Sequence, residues 1–588
     1  MKVLSIQTGH NATIALSDKG EIVGVLGQEK CDNIKNSSAF PMKAIELLLE
    51  EINWNKEDIE KVLICSENIY PDNAFNYFYD KKGRIKDTST LIAIAKTLRN
   101  SILGKFFPSI FHMLRKKRLE NLIFKGRKEL HSKLKKIGFN NIPFEHVEHH
   151  LCHARAVYHS FANDKISGDS IVFTLDGAGD NTCSSVTYVN KKGVWNKIAE
   201  TPLESSLGNI YSFTTKFLGM KPLEHEYKVM GLAAYSKQNY VNSLYEKIFK
   251  PVIWLDENNN LVFKSKLNTN NFYDYLVENA IGERFDNIAG ALQLMTEKLV
   301  CEWIINGIKK TSAKNIFLSG GVFMNVKLNQ KISEIKDIEK LFLMPSCGDE
   351  SNPIGACYYH SSKIGEEIKP LRNLYLGISY NQDEVHNFIR NQKIDAEFFV
   401  KKFDDIDKKI SNLLIEREVV ARFSGRGEWG ARSLGNRAIL AHPSYMESFY
   451  MVNDYIKARD FWMPFAPTIL ESYARQYLQE YNPNKLQAPH MIVTYRATEK
   501  ALTDLRGALH QGDHTLRPQV LNQSANPSYF RLITLFEKET GVGGLMNTSF
   551  NLHGFPLVSG LEQAVNTFKN SELKYLSLGD FLISKKRF

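Results

Sequence analysis

Two stretches of the chain repeat one pattern of apolar and polar positions. The first, KVLSIQTGHNATIALSDKGEIVGVLGQE, alternates apolar residues around a polar turn and a tight turn at Lys19 and Gly20. The second, SIVFTLDGAGDNTCSSVTYVNKKGVWNKIAE, has the turn DGAGD and a tight turn at Lys192 and Gly193. Alternating apolar residues that are bounded by Gly, Asn and Asp turns indicate antiparallel strands. The pattern therefore predicts the same three-stranded unit twice.

A third stretch, NIFLSGGVFMNVKLNQKI, predicts a strand, a Ser-Gly-Gly turn and an amphipathic helix. Backbone N–H groups at such a turn favour anions. A duplicated hairpin unit with a polar loop after each first strand is how the actin-like ATPase (ASKHA) fold is built, and its loops hold nucleotide phosphates. We therefore predict an α/β protein with this fold, in which Gly177 and Gly179 of the second loop bind nucleotide.

Helical patterns fill residues of about 72–140, between the two copies, and predict a helical insertion. Pro370, in KPLRNLYLGI, indicates a boundary with a second α/β unit. The predicted domains are therefore residues 1–368 and residues 369–588.

The insertion carries most of the net charge of +10. Between Arg115 and Lys136 there are ten Lys and Arg residues against Glu120 and Glu129, a balance of +8. Because the rest of the chain is nearly neutral, we predict no nucleic-acid partner. Apolar residues interrupt the cations, so we expect a solvated outer face over an apolar packing face, in preference to contact with an anionic membrane.

The composition is that of an ordinary soluble protein, with 43% hydrophobic and 24% charged residues. The seven cysteines are scattered and form no CxxC pair, which favours reduced thiols, a cytoplasmic location and no zinc ribbon. The N-terminus does not have the pattern of a signal peptide, and no apolar stretch reaches the roughly 20 residues that span a membrane.

The histidines of HVEHHLCHARAVYHSF are the sharpest candidates for chemistry. His149 and His153 lie four residues apart in a helical pattern, so both imidazoles project from one face, a spacing that suits a divalent transition metal. His146 and His150 have the same spacing and form an alternative pair. A surface helix with chance histidines would explain the pattern without a metal.

Two aspartates complete a plausible four-ligand metal site with the preferred histidines. Asp176, in LDGAGD, ends a strand at a tight turn, where the alternative role is to stabilise that turn. Asp349, in MPSCGDESNPIGA, follows an apolar strand, where the alternative role is a helix N-cap.

Cations lie among glycines and aromatic residues in FSGRGEWGARSLGNRAIL and NDYIKARDFWMPFAPTIL. The planar fork of arginine matches phosphate or carboxylate, although structural ion pairs beneath a loop would also explain the pattern. HQGDHTLRPQ and LMNTSFNLHG add polar groups near strand ends. The resulting candidates are Arg426, Arg432, Arg437, Lys457, Arg459, Arg517, Ser549 and Asn551.

Ten motifs together spell out a family. They are, in order, GHNATIAL, HHLCHA, LDGAGD, EHEYKVMGLAAY, LSGGVFMNVKLN, SCGDESNPIGA, GARSLGNRAIL, IKARDFWMPFAP, HTLRPQ and NTSFN. With them the chain resembles the NodU/CmcH/TobZ carbamoyltransferases over essentially its whole length. The resemblance implies an N-terminal domain similar to TsaD and a C-terminal domain similar to YrdC.

The resemblance also implies the chemistry. Carbamoyl phosphate and ATP, with Mg²⁺, would form carbamoyl-adenylate in the second domain. The first domain, with bound Fe²⁺ or a similar divalent metal, would pass the carbamoyl group to a hydroxyl of a small-molecule acceptor. The resemblance leaves a homodimer open.

Carried over by position, the family's residues fall into four groups. The metal ligands match His149, His153, Asp176 and Asp349. The nucleotide loop matches Ser319, Gly320, Gly321 and Asn325. The carbamoyl phosphate and ATP site matches Arg432, Lys457, Ser549 and Asn551, with Arg459 and Arg517 nearby. The histidine that faces the acceptor matches His10, with Lys35 near it in the pattern.

The chain departs from the family pattern at three places. Ala431 and Ser433 replace a Pro and an Ala, which changes no charge. Met463 replaces a phosphate-facing Arg, for which we expect Arg459 to substitute. The third departure, GQEKCDNIKN, places Lys30 and Lys35 where they would reach the rim of the N-terminal cleft and favour an anionic acceptor, unless both are simply exposed.

Three other functions compete with this interpretation. An actin-like sugar kinase would leave the histidine pair and the Arg-rich half without a task. A tRNA-modifying enzyme would need a basic surface along both domains. A nucleotide-regulated protein attached to membranes through residues 108–136 would not need the candidate catalytic residues.

Overall fold

Three β-sheets of five, five and eight strands form the framework of the part of the chain described by the structure. The structure is a computed structural model that describes residues 1–71, 108–161 and 166–587. The first two sheets lie in the N-terminal half and the third in the C-terminal half, so the chain has the mixed α/β fold that we predicted.

The first sheet has the strand order β3-β2-β1-β4-β5. Its hairpins pair antiparallel, whereas β4 is parallel to both β1 and β5. Lys19 and Gly20, with φ of 46° and 76°, form the predicted tight turn between β2 and β3. The strands are β1 (Lys2–Gln7), β2 (Thr13–Asp18), β3 (Glu21–Gly27), β4 (Lys61–Cys65) and β5 (Phe144–Val147).

The second sheet has the order β12-β11-β6-β7-β8, and β9 and β10 form a separate hairpin. The strands are β6 (Ser170–Gly179), β7 (Thr182–Val189), β8 (Trp195–Pro202), β9 (Ile253–Leu255), β10 (Phe263–Ser265), β11 (Asn315–Ser319) and β12 (Lys340–Leu343). Two hairpins followed by two parallel strands give this sheet the same topology as the first. The strand order therefore confirms the duplicated unit that the apolar pattern predicts.

The helices of this half include the two that carry the candidate metal site. They are α1 (Glu29–Asp32), α2 (Met42–Ile52), α3 (Pro108–Lys136), α4 (His149–Phe161), α5 (Leu207–Phe217), α6 (Glu226–Ala233), α7 (Gln238–Leu244), α8 (Phe272–Asn279), α9 (Phe285–Thr311), α10 (Val326–Ser333) and α11 (Asn352–Lys363). Helices α4 and α11 cross closely at Gly355, where a Cβ would lie 1.8 Å from the carbonyl oxygen of Cys152. The absence of a side chain at Gly355 permits this approach.

Helix α3 belongs to the predicted insertion, of which residues 72–107 lie outside the described residues. Leu130 and Leu134 are buried in the core of the first sheet, whereas Lys128 and Lys135 are exposed. The described part of the helix thus has an apolar packing face and a cationic outer face. Among the described residues, no helix has the length and apolar character that a membrane crossing requires.

The third sheet is mixed, with the order β13-β22-β21-β14-β15-β20-β16-β19. Its strands, together with a two-stranded sheet of β17 and β18, are β13 (Phe399–Lys402), β14 (Val420–Phe423), β15 (Arg437–Ala441), β16 (Ala466–Leu470), β17 (Tyr495–Arg496), β18 (Thr515–Leu516), β19 (Gln519–Leu521), β20 (Gly544–Ser549), β21 (Tyr575–Leu578) and β22 (Phe581–Ser584). The helices are α12 (Gln382–Asn391), α13 (Ile394–Glu397), α14 (Ile406–Ile415), α15 (Met446–Tyr450), α16 (Ala474–Tyr477), α17 (Glu499–Asp504), α18 (Pro527–Thr540) and α19 (Leu561–Lys569).

The two halves share one apolar core. The largest buried cluster includes Phe173 of the second sheet and Val420 of the third. Backbone hydrogen bonds also cross between the halves, from Val25 to the carbonyl oxygen of Leu376 and from Leu341 to that of Lys485, at 2.9 and 2.8 Å. This contact holds loops of both halves at fixed positions relative to each other.

Candidate functional site

Two histidines of α4 and two aspartates meet at the carboxyl ends of the second sheet. His149 Nε2 lies 3.4 Å from both Asp176 Oδ2 and Asp349 Oδ1, and His153 Nε2 lies 3.2 and 3.6 Å from the same oxygens. One ligand atom from each residue lies within 4.8 Å of the others. The structure thus brings together all four residues that the sequence singles out as metal ligands.

The backbone around this cluster leaves room for it. A Cβ at Gly179 would lie 2.1 Å from the ring of His149, and a Cβ at Gly321 would lie 2.8 Å from Asp176 Oδ1. The N–H of Gly177 donates to the same Asp176 oxygen at 2.7 Å. These glycines therefore have a packing role beside the carboxylate, and their predicted contact with nucleotide stays a prediction.

Charge is closely balanced in the cluster. Burial alone would lower the pKa of His153, but hydrogen bonds with Asp176 and Asp349 outweigh it and raise that pKa to about 9. Burial would likewise raise the pKa of Asp176, but its hydrogen bonds with His149 and His153 hold that pKa well below the usual range. With neutral imidazoles the two carboxylates leave a charge of −2, which a divalent cation would neutralise.

The outer nitrogen of His153 has a hydrogen-bond acceptor. Ser351 Oγ lies 3.3 Å from His153 Nδ1, and the same hydroxyl donates its proton to the carbonyl oxygen of Gly348 at 2.8 Å. Because that proton is already used, Ser351 accepts from the Nδ1–H of the imidazole. Once Nε2 gives up the proton that it shares with the two carboxylates, the proton on Nδ1 keeps His153 in the tautomer whose Nε2 can ligate a metal.

Asn352 favours the same tautomer of His149, with the proton on Nδ1. Its Nδ2 lies 3.4 Å from His149 Nδ1, while its buried Oδ1 has no hydrogen-bond partner among the described residues. The oxygen and nitrogen of an amide are interchangeable in such an assignment. Exchanging them lets Oδ1 accept from the Nδ1–H of His149. The four residues and their neighbours therefore fit a divalent metal.

Asn352 should for this reason control metal affinity without touching the metal. We expect Asn352→Leu to weaken affinity by about 10- to 100-fold, the usual effect of losing such a partner, whereas Asn352→Asp, which keeps an acceptor, should stay near the wild type. Titration of the purified apoprotein with a metal against a chelating indicator measures this. Equal affinity in wild type and Asn352→Leu would show that the amide does not orient His149.

The alternative pair, His146 and His150, does not converge. His146 contacts the carbonyl oxygen of Ser66 through Nδ1, at 2.9 Å, and His131 through Nε2, at 3.0 Å. His150 contacts Thr174 Oγ1 and the carbonyl oxygen of Thr182, at 2.8 and 3.1 Å. Burial lowers the pKa of His150 to about 3, so it is a neutral core residue with both nitrogens satisfied.

The predicted nucleotide loop lies directly behind the metal cluster. Ser319 is fully buried, with Oγ 3.4 Å from His153 Nδ1, and Asn325 caps α10 by accepting from the N–H of Leu328 at 3.0 Å. Gly320 has a φ of 104°, and a Cβ there would lie 2.3 Å from the carbonyl oxygen of Leu175. The side chains of Ser319 and Asn325 thus already have protein partners, and nucleotide binding by this loop stays a prediction that depends on its backbone.

In the C-terminal half, Lys457 joins the residues predicted beside it. Its ammonium donates to the carbonyl oxygen and Oδ1 of Asn551, and to the carbonyl oxygen of Ser549. The hydroxyl of Ser549 donates to Asn551 Oδ1 at 2.7 Å. Lys457 is only 4% exposed, and burial holds its pKa well below the usual range. Its position is therefore fixed from three directions.

Three arginines lie beside this lysine without carboxylate partners. Among the described residues, none of Arg432, Arg459 and Arg517 forms an ion pair, and the buried Nε of Arg432 has no hydrogen bond. Burial lowers the pKa of Arg517 well below its usual range, and the other two arginines lower it further. The three side chains are half-buried, and cations that are partly removed from water without anionic partners repel one another, so the geometry indicates a site for an anionic ligand.

Arg459 is the most firmly held of the three. It donates to Asn453 Oδ1 at 3.0 Å and to the carbonyl oxygens of Met463 and Pro464, both at 3.3 Å, and it stacks over Phe465. Met463 itself is buried. Arg459 thus lies beside the position at which the family has an arginine, and its substitution for that arginine stays a prediction.

The N-terminal half contributes Lys35 to this cluster. Its ammonium lies 5.2 Å from the ring centre of Tyr227. Burial lowers the pKa of Lys35, and Arg432 is among the cations that add to this effect. Lys35 in turn helps to lower the pKa of Lys457. The cluster of Lys35, Arg432, Lys457, Arg459 and Arg517, which we call the cation cluster, therefore spans both halves of the chain.

Lys30 is not at the rim of the cleft, so that expectation is wrong. The residue is 7% exposed, and its ammonium donates to the carbonyl oxygen of Glu428 in the C-terminal half. A lysine in a short helix after a strand gives no sign in the sequence of such a long-range contact. Because Lys30 is buried, it does not support a preference for an anionic acceptor, and for Lys35 that preference stays a prediction.

His10 lies in the loop after β1, and two glutamates that the sequence analysis did not single out lie near it. Asn11 donates to Glu350 Oε2 at 3.2 Å. Burial raises the pKa of Glu226, whereas His10 lowers it, which places the two side chains close together. Both glutamates occur within matched motifs, EHEYKVMGLAAY and SCGDESNPIGA, and acidic residues inside such motifs were the available signal.

Glu350 connects the two clusters. It follows Asp349 in the chain, accepts a hydrogen bond from Ser346, and acts on the charge of Arg432. Burial raises its pKa. The histidine–aspartate cluster and the cation cluster therefore lie on two sides of one carboxylate.

Comparison with known proteins shows the family of this chain. Residues 2–358 match the family model of the carbamoyltransferase N-terminus, and residues 411–585 match that of the carbamoyltransferase C-terminus. The nodulation protein NolNO of Sinorhizobium fredii is 26% identical over 98% of this chain and 79% of its own length. NolO of Bradyrhizobium diazoefficiens is 29% identical over 75% of this chain and 79% of its own.

A 3'-hydroxymethylcephem-O-carbamoyltransferase of Streptomyces clavuligerus is 24% identical over 45% of this chain and 48% of its own. A crystal structure of full-length HypF aligns with 62% of this chain and 55% of its own at 12% identity, with a TM-score of 0.33, which is too low a likeness to support a conclusion. The two family matches together leave only short segments unmatched. The chain therefore belongs to the carbamoyltransferase family.

Proposed function

We propose that this protein is an ATP-dependent O-carbamoyltransferase that makes carbamoyl-adenylate and passes its carbamoyl group to a hydroxyl of a small molecule. The observation that carries the proposal is the cation cluster, whose three arginines are half-buried without ion-pair partners among the described residues around the buried Lys457. Cations that are brought together and partly removed from water repel one another, and a phosphate-bearing substrate would supply the missing partner. Carbamoyl phosphate and ATP are both such substrates.

The first half-reaction belongs to the C-terminal half, which the resemblance to YrdC also supports. Water hydrolyses carbamoyl phosphate to carbamate and inorganic phosphate, and an oxygen of the carbamate then attacks the α-phosphorus of ATP as pyrophosphate leaves. Arg432, Arg459 and Arg517 neutralise the phosphate oxygens, and Lys457, held by Ser549 and Asn551, faces the charge that develops. The product, carbamoyl-adenylate, carries AMP as its leaving group, whereas carbamate has no adequate leaving group.

The second half-reaction belongs to the histidine–aspartate cluster. His10 takes the proton of the acceptor hydroxyl, whose oxygen attacks the carbamoyl carbon as AMP leaves. Glu226 and Glu350 lie beside the loop of His10. Glu350 accepts a hydrogen bond from Asn11 and so positions the loop, and the charges of His10 and Glu226 act on each other. A divalent cation, Fe²⁺ by the resemblance, would when bound to His149, His153, Asp176 and Asp349 supply a Lewis acid for the carbonyl oxygen. The loop of Gly320 and Gly321 is proposed to hold the AMP group.

The products of the reaction test this proposal. Purified protein with ATP, Mg²⁺ and carbamoyl phosphate should release pyrophosphate and AMP, and the amount of AMP should depend on the acceptor. Pyrophosphate and nucleotides are measured by coupled assay and by chromatography, with omission of carbamoyl phosphate as the control. Formation of ADP with a phosphorylated acceptor would instead support a sugar kinase and exclude the adenylate route.

A further inference from the structure

The carboxylate of Glu428 gathers three backbone N–H groups on one oxygen. Oε1 accepts from Leu434 at 2.9 Å, from Asn436 at 2.8 Å and from Arg437 at 3.1 Å, and the residue is 1% exposed. Hydrogen bonds to an ionised carboxylate are stronger than those between neutral groups. The side chain therefore closes residues 428–437 into a fixed loop.

Arg432 lies inside this loop. Its guanidinium has no ion pair among the described residues and its Nε has no hydrogen bond, so no ion pair of its own fixes its direction. The loop has a firm base on its other side, because the buried guanidinium of Arg437 donates to the carbonyl oxygens of Ser424, at 2.8 Å, and Gly425, at 3.1 Å. The backbone of the loop is thus what sets the direction of Arg432.

The N-terminal half holds the same loop from outside. Lys30 of α1 donates to the carbonyl oxygen of Glu428, and the carbonyl oxygen of Lys30 accepts from Gln563 Nε2 at 3.0 Å. Lys35, a member of the cation cluster, follows five residues later in the chain. One short segment of the first half therefore contacts the loop of Arg432 and also carries Lys35.

We propose that Glu428 is a positioning residue that directs Arg432 at the anionic substrate, and that Lys30 holds the base of this loop from the N-terminal half. The inference rests on the proposed function, which assigns Arg432 to phosphate binding. If Glu428 were only part of the core, its loss would lower stability and leave the role of Arg432 unchanged. The two possibilities differ in whether the effects of Glu428 and Arg432 on binding are additive.

A double-mutant cycle distinguishes them. Affinity for carbamoyl phosphate is measured by calorimetry in the full chain for wild type, Glu428→Gln, Arg432→Gln and the double variant. We expect each single change to weaken binding by about tenfold or more, the effect of losing a charge-assisted contact, and the double variant to lie within about twofold of Arg432→Gln. If the affinity losses of the two single variants multiplied in the double variant, the inference would be overturned. Unchanged binding in Arg432→Gln would instead overturn the assignment of Arg432 in the proposed function.

Lys30→Met provides a test that does not alter the buried carboxylate. Methionine keeps the length and apolar stem of the side chain but loses the contact with Glu428. We expect weaker binding of carbamoyl phosphate with little change in melting temperature, and no further loss in an Arg432→Gln background. The matched control is Lys485→Met, which removes a lysine contact to the carbonyl oxygen of Ile335 at 2.7 Å, in segments other than α1 and residues 428–437. Equal effects of Lys30→Met and Lys485→Met would refute the role of Lys30.

Discussion

Replacing Lys457 by methionine is expected to abolish formation of carbamoyl-adenylate while leaving carbamoyl transfer from supplied carbamoyl-adenylate nearly intact. Methionine fills the same buried space but removes the charge that Ser549 and Asn551 hold beside the arginines. Loss of one well-placed donor to developing charge lowers kcat by about 10²- to 10³-fold. Pyrophosphate release measures the first half-reaction, and chromatography of the carbamoylated product measures the second.

The matched control is Lys485→Met. Lys485 is a partly buried lysine of the same half, which donates to the carbonyl oxygen of Ile335 at 2.7 Å away from the cation cluster. It should lose little of either activity. Equal loss of both half-reactions in Lys457→Met would mean that the two steps share one site.

Replacing His153 by alanine should have the opposite effect. The variant is expected to lose most of its bound metal and to transfer the carbamoyl group at least about 10²-fold more slowly, the effect of removing a Lewis acid, while still forming carbamoyl-adenylate. His153 is buried and lies within 3.6 Å of both aspartates, so water cannot easily replace its nitrogen. Elemental analysis gives the metal content, and the two activity assays give the rates.

His146→Asn is the control for this change, because His146 belongs to the pair that does not converge. It should keep the metal content of the wild type. Unchanged metal in His153→Ala, or loss of metal in His146→Asn, would show that the metal ligands are wrongly assigned.

The sequence predicted those features that depend on local periodicity. Alternating apolar residues gave the duplicated hairpins because side chains of a strand point to opposite faces, and the four-residue spacing of His149 and His153 gave their shared helix face. The partnership of these histidines with Asp176 and Asp349 also followed, since Asp176 lies near the end of β6 and Asp349 in the segment that follows β12 of the same sheet.

Contacts between distant segments could not be predicted in this way. Lys30 and Glu428 are 398 residues apart, and no local pattern relates them. The charge of Lys35 acts on Arg432 and Lys457, and the local pattern could not predict this because it depends on the packing of the two halves. The contact of Ser319 with His153 could not be predicted either, since it depends on the packing of α4 against the strand that carries Ser319.

The cation cluster has a thermodynamic consequence for the protein when it has no substrate. Like charges held together away from water repel one another, so the cluster lowers the free energy of unfolding of the unliganded chain. Anions that bind only to the folded state reverse this effect in proportion to the logarithm of their concentration. Stability and activity are therefore opposed in this region, as they often are in active sites. The protein is least resistant to heat when it is without the molecules on which it acts, and phosphate in a storage buffer would protect it.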